Sequence, residues 1–242
     1  MHHINKLLSV VAIFLVLLSS SVMAEEGVDP WQNWNRKVYS FNEGLDDYVA
    51  RPVAKVYKAV LPKIVRRGVG NFFSNLGEVP TAINDLLQAK PGPAFQSASR
   101  FVVNSTVGLW GLIDIASMVG IEEHSEDFGQ TLAVWGVESG PYVVLPILGP
   151  SNLRDAFSLY PDNRLDPMSY LPLSDPEYYG LTVLKYTHIR HKLLNSESIV
   201  QGDKYTFIRD AYLQNRIYEI NDGQIEDSFD DDFDDLDLDE DY

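Results

Sequence analysis

Cysteine is absent from the 242 residues. That excludes disulfides, thiolate metal sites, thiol nucleophiles and acylation on cysteine together. A chain of this length can bury a core without covalent staples, so the absence is compatible with an oxidising compartment. Beyond residue 24 there is no run of 18 uncharged apolar residues, so a spanning helix of ordinary length is not expected. Catalytic signatures are missing as well. There is no Gly-x-Ser-x-Gly elbow, no Ser-x-x-Lys, no phosphate-cradling glycine loop and no His-Glu-x-x-His. Positive charge is scarce, with 19 Lys and Arg against 35 Asp and Glu. A nucleic-acid partner needs a clustered basic footprint and is not expected.

The net charge of −16 is largely local. Residues 226–241 hold eleven Asp and Glu and no base, leaving 24 acids against 19 bases elsewhere. Residues 224–242 therefore read as an acidic, disordered tail, too polar to bury itself. Phe229, Phe233, Leu236 and Leu238 within it leave open a docking role toward a basic, greasy partner. At the other end, residues 1–24 read as a cleavable secretory signal. Lys6 closes a short n-region, 7–18 is apolar but for Ser9, and Val22-Met23-Ala24 suits cleavage before Glu25. Residues 25–223 remain as one domain.

That domain reads as helical. Asp29 is a candidate N-cap with Pro30 in the first helical position. Trp31, Trp34, Val38, Phe41, Leu45 and Tyr48 recur at spacings of three and four, one apolar face of a helix over 30–49. Pro52 opens a second helix that Pro62 stops. Further helices are expected over 63–76, 81–88, 94–105 and 107–119, the last apolar on nearly every side and so buried in protein or in lipid. Residues 142–148 read as a hairpin or extended wall, since Pro146 argues against a central strand or a long helix. Ser151 and Asn152 can cap a short helix to 157. Proline-rich loops are expected over 161–176, then helices over 175–195 and 203–220.

Two histidine settings have residues of the kind that bind metals or move protons nearby. His124 stands among Glu122, Glu123, Glu126 and Asp127, which reads as a solvated acidic loop. His188 and His191 share a helix face at i, i+3 without a third ligand in reach, which reads as an exposed face. Neither makes a metal site, and no catalytic residue or cofactor is assigned. Trp31, Trp34, Trp110 and Trp135 would suit a membrane headgroup boundary, with helices lying in the interface plane. Packing the same faces inward is the alternative.

The most specific stretch is Asp127-Phe128-Gly129-Gln130-Thr131-Leu132, followed by Trp135-Gly136-Val137, Gly140-Pro141-Tyr142 and Leu145-Pro146. With Asp29-Pro30-Trp31, Phe41-Asn42, Arg51-Pro52-Val53-Ala54, Asn71-Phe72-Phe73-Ser74-Asn75-Leu76, Asn104-Ser105-Thr106-Val107-Gly108 and Arg209-Asp210-Ala211-Tyr212, it resembles the MlaA/VacJ family over 29–223. The resemblance implies an all-α, ring-like bundle of amphipathic helices in the inner leaflet of the outer membrane. A short hairpin and an amphipathic channel would go with it. It further implies removal of mislocalised phospholipid from the outer leaflet, with a trimeric outer-membrane porin beside the ring and a periplasmic lipid carrier receiving the lipid. Gly136, Gly140 and Pro141 would let the hairpin gate the channel, and Phe41 and Asn42 would sit at its rim or hold the closed state. Members commonly carry a lipobox cysteine. This chain has none, so retention on the periplasmic side would rest on embedded helices and the porin. A porin-bound adaptor that conducts no lipid and a lipid hydrolase are the competing readings.

Overall fold

The computed structural model describes residues 29–194 and 202–224. The expected signal segment and, apart from Gln224, the expected acidic tail lie outside the described residues. Helix α1 (Gln32–Leu45) runs through a π-helical turn (Asp46–Ala50) directly into α2 (Arg51–Val60). Although the π turn joins α2 to α1 without a break, Pro52 stands in the first turn of α2 as expected. The wider π turn before it accommodates a residue with no N–H to donate. Asp29 is not the cap; Trp31 holds that position, and the Asp29 carboxylate accepts from Asn35 Nδ2 at 2.8 Å and from the Tyr205 hydroxyl. Leu61 turns extended before Pro62 and ends α2 as expected.

The helices expected over 63–76 and 81–88 are one, α3 (Lys63–Leu87), with Pro80 inside it. Its buried residues are Asn75, Glu78, Thr81, Asn84 and Asp85, a polar stripe at helical spacing. Partners for that stripe on neighbouring elements hold the helix through the proline. Helix α4 (Pro91–Thr106) packs along α3. The helix expected over 107–119 is mostly absent. Leu109, Trp110 and Gly111 take positive φ, and only α5 (Ile115–Met118) is helical.

Helix α6 (Phe128–Val134) starts at Asp127, whose side chain accepts from Gln130 N. The hairpin pairs β1 (Tyr142–Leu145) antiparallel with β2 (Gly149–Asn152), Tyr142 opposite Asn152, and Pro146 falls in the turn. Asn152 caps α7 (Leu153–Leu165) as expected, but α7 runs through Pro161 instead of ending near 157. A 3-10 turn (Pro167–Tyr170) follows, so little of 161–176 is loop. Helix α8 (Asp175–Leu193) opens with a Ser174/Glu177 capping box, and α9 (Lys204–Ile220) starts at Asp203.

The packing closes a circuit. Helix α1 lies on the hairpin, the hairpin on α7, α7 on α3, α3 on α8 and α8 on α2, which is continuous with α1. Arg190 of α8 forks onto Asp46 at the π turn and so ties the far side of the circuit to the α1–α2 junction. The apolar cluster is small: Val38, Tyr142, Val144 and Tyr205. Among the described residues no helix is long and apolar enough to cross a membrane.

Candidate functional site

The usual amphipathic logic is inverted. Buried side chains are mostly polar or charged, including Asn35, Glu78, Asn84, Asp85, Arg100 and Asn104. Large apolar side chains lie outside: Trp110 is 80% exposed, Ile64 78% and Phe95 77%. Buried charge is expensive unless paired, and exposed apolar area is unfavourable in water. Both features fit a polar interior with a lipid-facing exterior.

Two clusters pair interior charges around an arginine. Arg100 is 1% exposed; its Nε donates to Glu78, and its NH1 donates to Ser117 Oγ at 3.1 Å and to the Ile121 carbonyl. Burial outweighs the guanidinium and leaves the Glu78 carboxyl above its usual range. Around Arg216, Asp127 accepts a bidentate pair at 2.6 and 2.7 Å, while Asp155 accepts from Nε at 2.7 Å and from the Tyr212 hydroxyl at 2.8 Å. Burial would raise the Asp155 carboxyl, but Arg216 and its other donors hold it below the ordinary value. Gly129 lies against this knot. A Cβ there would come within 2.4 Å of Asp155 Oδ1 and 2.5 Å of an Arg216 nitrogen. The Asp-Phe-Gly-Gln-Thr-Leu motif is thus a helix start, a close approach and half an ion pair in one segment.

Asn42 sits where a hairpin clamp would. Its Nδ2 donates to the Leu145 carbonyl at 2.9 Å, and its Oδ1 accepts from Ile147 N at 2.7 Å. Asn35, two helical turns earlier, repeats the device on the Tyr142 carbonyl at 3.0 Å and Val144 N at 2.9 Å. Sequence reasoning singled out Asn42 and missed Asn35 as a site residue. The seven-residue spacing of two like amides was the available signal. Phe41 points outward at 58% exposure.

Gly136 (φ 86°) closes α6, with Gly136 N donating to Ala133 and Val137 N to Leu132. Gly140 (φ 65°) turns the chain into β1, and a Cβ there would stand 3.1 Å from Leu153 Cβ. The Pro141 carbonyl accepts from Leu153 N at 3.1 Å. These three positions therefore join α6 to the hairpin and the start of α7. Trp34, Trp110 and Trp135 are exposed and Trp31 is half-buried. Trp135 anchors its ring nitrogen on the Leu87 carbonyl at 3.0 Å.

Both histidine expectations change. His124 Nε2 lies 2.9 Å from buried Asp85, which raises the imidazole above its usual value. His188 is buried, not displayed: its Nδ1 lies 3.0 Å from the Tyr57 hydroxyl, and desolvation lowers its pKa.

A family model described as MlaA lipoprotein matches residues 27–219. The Escherichia coli K12 intermembrane phospholipid transport system lipoprotein MlaA is 34% identical over 220 residues, covering 87% of this chain and 86% of that protein. An uncharacterized protein of Rickettsia typhi is 37% identical over 194 residues, 79% of this chain and 77% of its own. A solved structure described as the structural basis for maintenance of bacterial outer membrane lipid asymmetry superposes with a TM-score of 0.71 at 34% identity. It covers 80% of this chain and 99% of that one. The chain belongs to the MlaA family.

Proposed function

We propose that this protein takes mislocalised phospholipid out of the outer leaflet of the outer membrane. The lipid passes through an amphipathic channel inside the helical circuit to a periplasmic lipid carrier. The observation that carries the reading is the inverted surface: paired charges inside, aromatic and aliphatic side chains outside. A phospholipid has a charged head and apolar tails, so its path needs a polar lining beside an apolar rim. Lipid in the wrong leaflet moves downhill, and no local energy source is required. The names of the family's characterised relatives, which refer to intermembrane phospholipid transport, support the same reading.

In this reading residues 1–24 direct export and are removed, 25–223 form the membrane-seated domain, and 224–242 extend from it. With no cysteine to acylate, the exposed apolar helices and a trimeric porin hold the protein in the inner leaflet. The hairpin gates the channel, hinged at Gly136, Gly140 and Pro141 and latched by Asn42, with Phe41 at the rim.

The test is phospholipid content after purification from outer membranes in mild detergent. Stoichiometric phospholipid that survives washing supports a conducting protein. A lipid-free preparation that still holds its porin would favour the adaptor.

A further inference from the structure

A second region of the circuit has the chemistry of a ligand site. One face of α3 presents Lys63, Arg66, Arg67 and Gly70 to a cavity of about 490 Å³, bordered by Lys58 of α2 and by His188, His191 and Lys192 of α8. The carboxylates that reach this cavity, Asp114 and Glu123, both lie beside Arg100. Among the described residues Lys63, Arg67 and Lys192 make no ion pair, and all three are exposed to the cavity side or solvent.

Several buried nitrogens there lack hydrogen-bond partners. His188 is 7% exposed, its Nδ1 faces the Tyr57 hydroxyl, and its Nε2 has no partner. That nitrogen lies over Gly70, where a Cβ would come within 2.7 Å of it. His191 Nε2 is 3.3 Å from the Arg66 guanidinium, which can only donate, so the proton sits on Nδ1, and Nδ1 has no partner. Arg66 Nε is buried and unpaired too. Buried donors without acceptors are costly and mark a place where an acceptor is due.

An apolar groove of about 520 Å³ lies between α2 and α8, and Tyr57 in its lining contacts His188 of the cavity. It is lined by Val53, Val56, Val60, Val183 and Leu184. Tyr57 is shared: its hydroxyl meets His188 and its ring forms part of the groove. A cluster of cations and N–H donors beside an apolar slot complements a phosphate diester carrying an acyl chain. A free phosphate would satisfy only the first half, and a neutral lipid only the second.

We infer that the α2–α3–α8 cavity seats the phosphate of a phospholipid and that the adjoining α2–α8 groove takes one of its acyl chains. The inference rests on the phospholipid-removing reading above and assigns it a stopping point: a lipid held by its phosphate at one arc of the circuit.

The test is equilibrium binding to full-length protein in a non-ionic detergent. The probes are dihexanoyl phosphatidylglycerol, its deacylated glycerophosphodiester and inorganic phosphate. The wild type binds the lipid more tightly than either water-soluble anion. The triple variant Lys63→Gln/Arg67→Gln/Lys192→Gln, altered only at exposed positions, weakens the lipid by about tenfold or more, the loss expected of charge-assisted contacts. Val56→Asn/Val183→Asn leaves anion binding unchanged and removes the preference for the acylated probe. Equal lipid binding by the triple variant and the wild type overturns this site while leaving the transport reading standing. Inorganic phosphate binding as tightly as the lipid also overturns it, in favour of a free-anion site. Failure of the wild type to bind any phospholipid removes both.

Discussion

At the scale of single residues, the interior is organised by amides and ion pairs whose partners are far away in the chain. Asn42 spans from α1 to the hairpin turn through two hydrogen bonds. Asn42→Ala should lower unfolding free energy by about 1–2 kcal/mol and speed amide exchange at Ile147, because each lost bond contributes about 1 kcal/mol. Unchanged exchange at Ile147 would contradict the latch. Asp162 offers a pH test. Burial pushes its carboxyl up to about 6 from 3.8, partly offset by the Phe128 N–H it accepts at 2.8 Å. Between those values the folded carboxyl keeps a proton that the unfolded one has released, so its contribution to stability falls as pH rises across that window. Asp162→Asn keeps an acceptor for Phe128 and cannot ionise. The variant should therefore gain stability relative to wild type between pH 4 and 7, read as the difference of melting temperatures at the two ends. A constant difference would show that Asp162 titrates normally.

At the scale of elements, periodicity and capping chemistry located most helices but not their joins or their inward faces. The hairpin was legible because Pro146 and the Gly149-Pro150 pair interrupt an apolar run. The start at Asn152 was legible from its cap residue, and the last helix from the spacing of Tyr205, Ile208, Tyr212, Ile217 and Ile220. Local signals failed where tertiary partners decided. Pro80 falls between the two expected helices, yet α3 continues because Glu78 and Asp85 on its inner stripe meet Arg100 of the adjacent α4 and His124 of the loop after α5. The stretch after α4 reads as helix from its leucines and isoleucines, but Leu109 and Trp110 turn left-handed before Gly111. Gly111 packs so tightly on Asn75 that a Cβ would lie 2.6 Å from its Cβ. For the segment joining α6 to the hairpin, Gly136→Pro with Gly140→Pro should abolish lipid removal, since proline cannot reach either positive φ. Normal outer-leaflet lipid in cells carrying the folded double variant would show that the turn is static and the hairpin no gate.

At the scale of the whole molecule, the same patterns carry the opposite sign from a water-soluble protein. Trp34 and Phe41, on the apolar face that spacing marks on α1, are exposed, while Val38 of the same face is buried against the hairpin cluster. Periodicity reveals that a face exists and not which solvent it meets. Burial identifies the inner side, where Arg100, Glu78 and Asn84 take the places that leucines would hold elsewhere. Under the proposed function, a phospholipid head follows polar side chains along this circuit and leaves its tails among the exposed apolar ones. The central claim is tested most directly by labelling outer-leaflet aminophospholipid with a membrane-impermeant amine reagent on intact cells, with and without this protein. The account predicts more labelled lipid on deletion and a return to the parental level when the full chain is restored. Equal labelling in all three strains would contradict it.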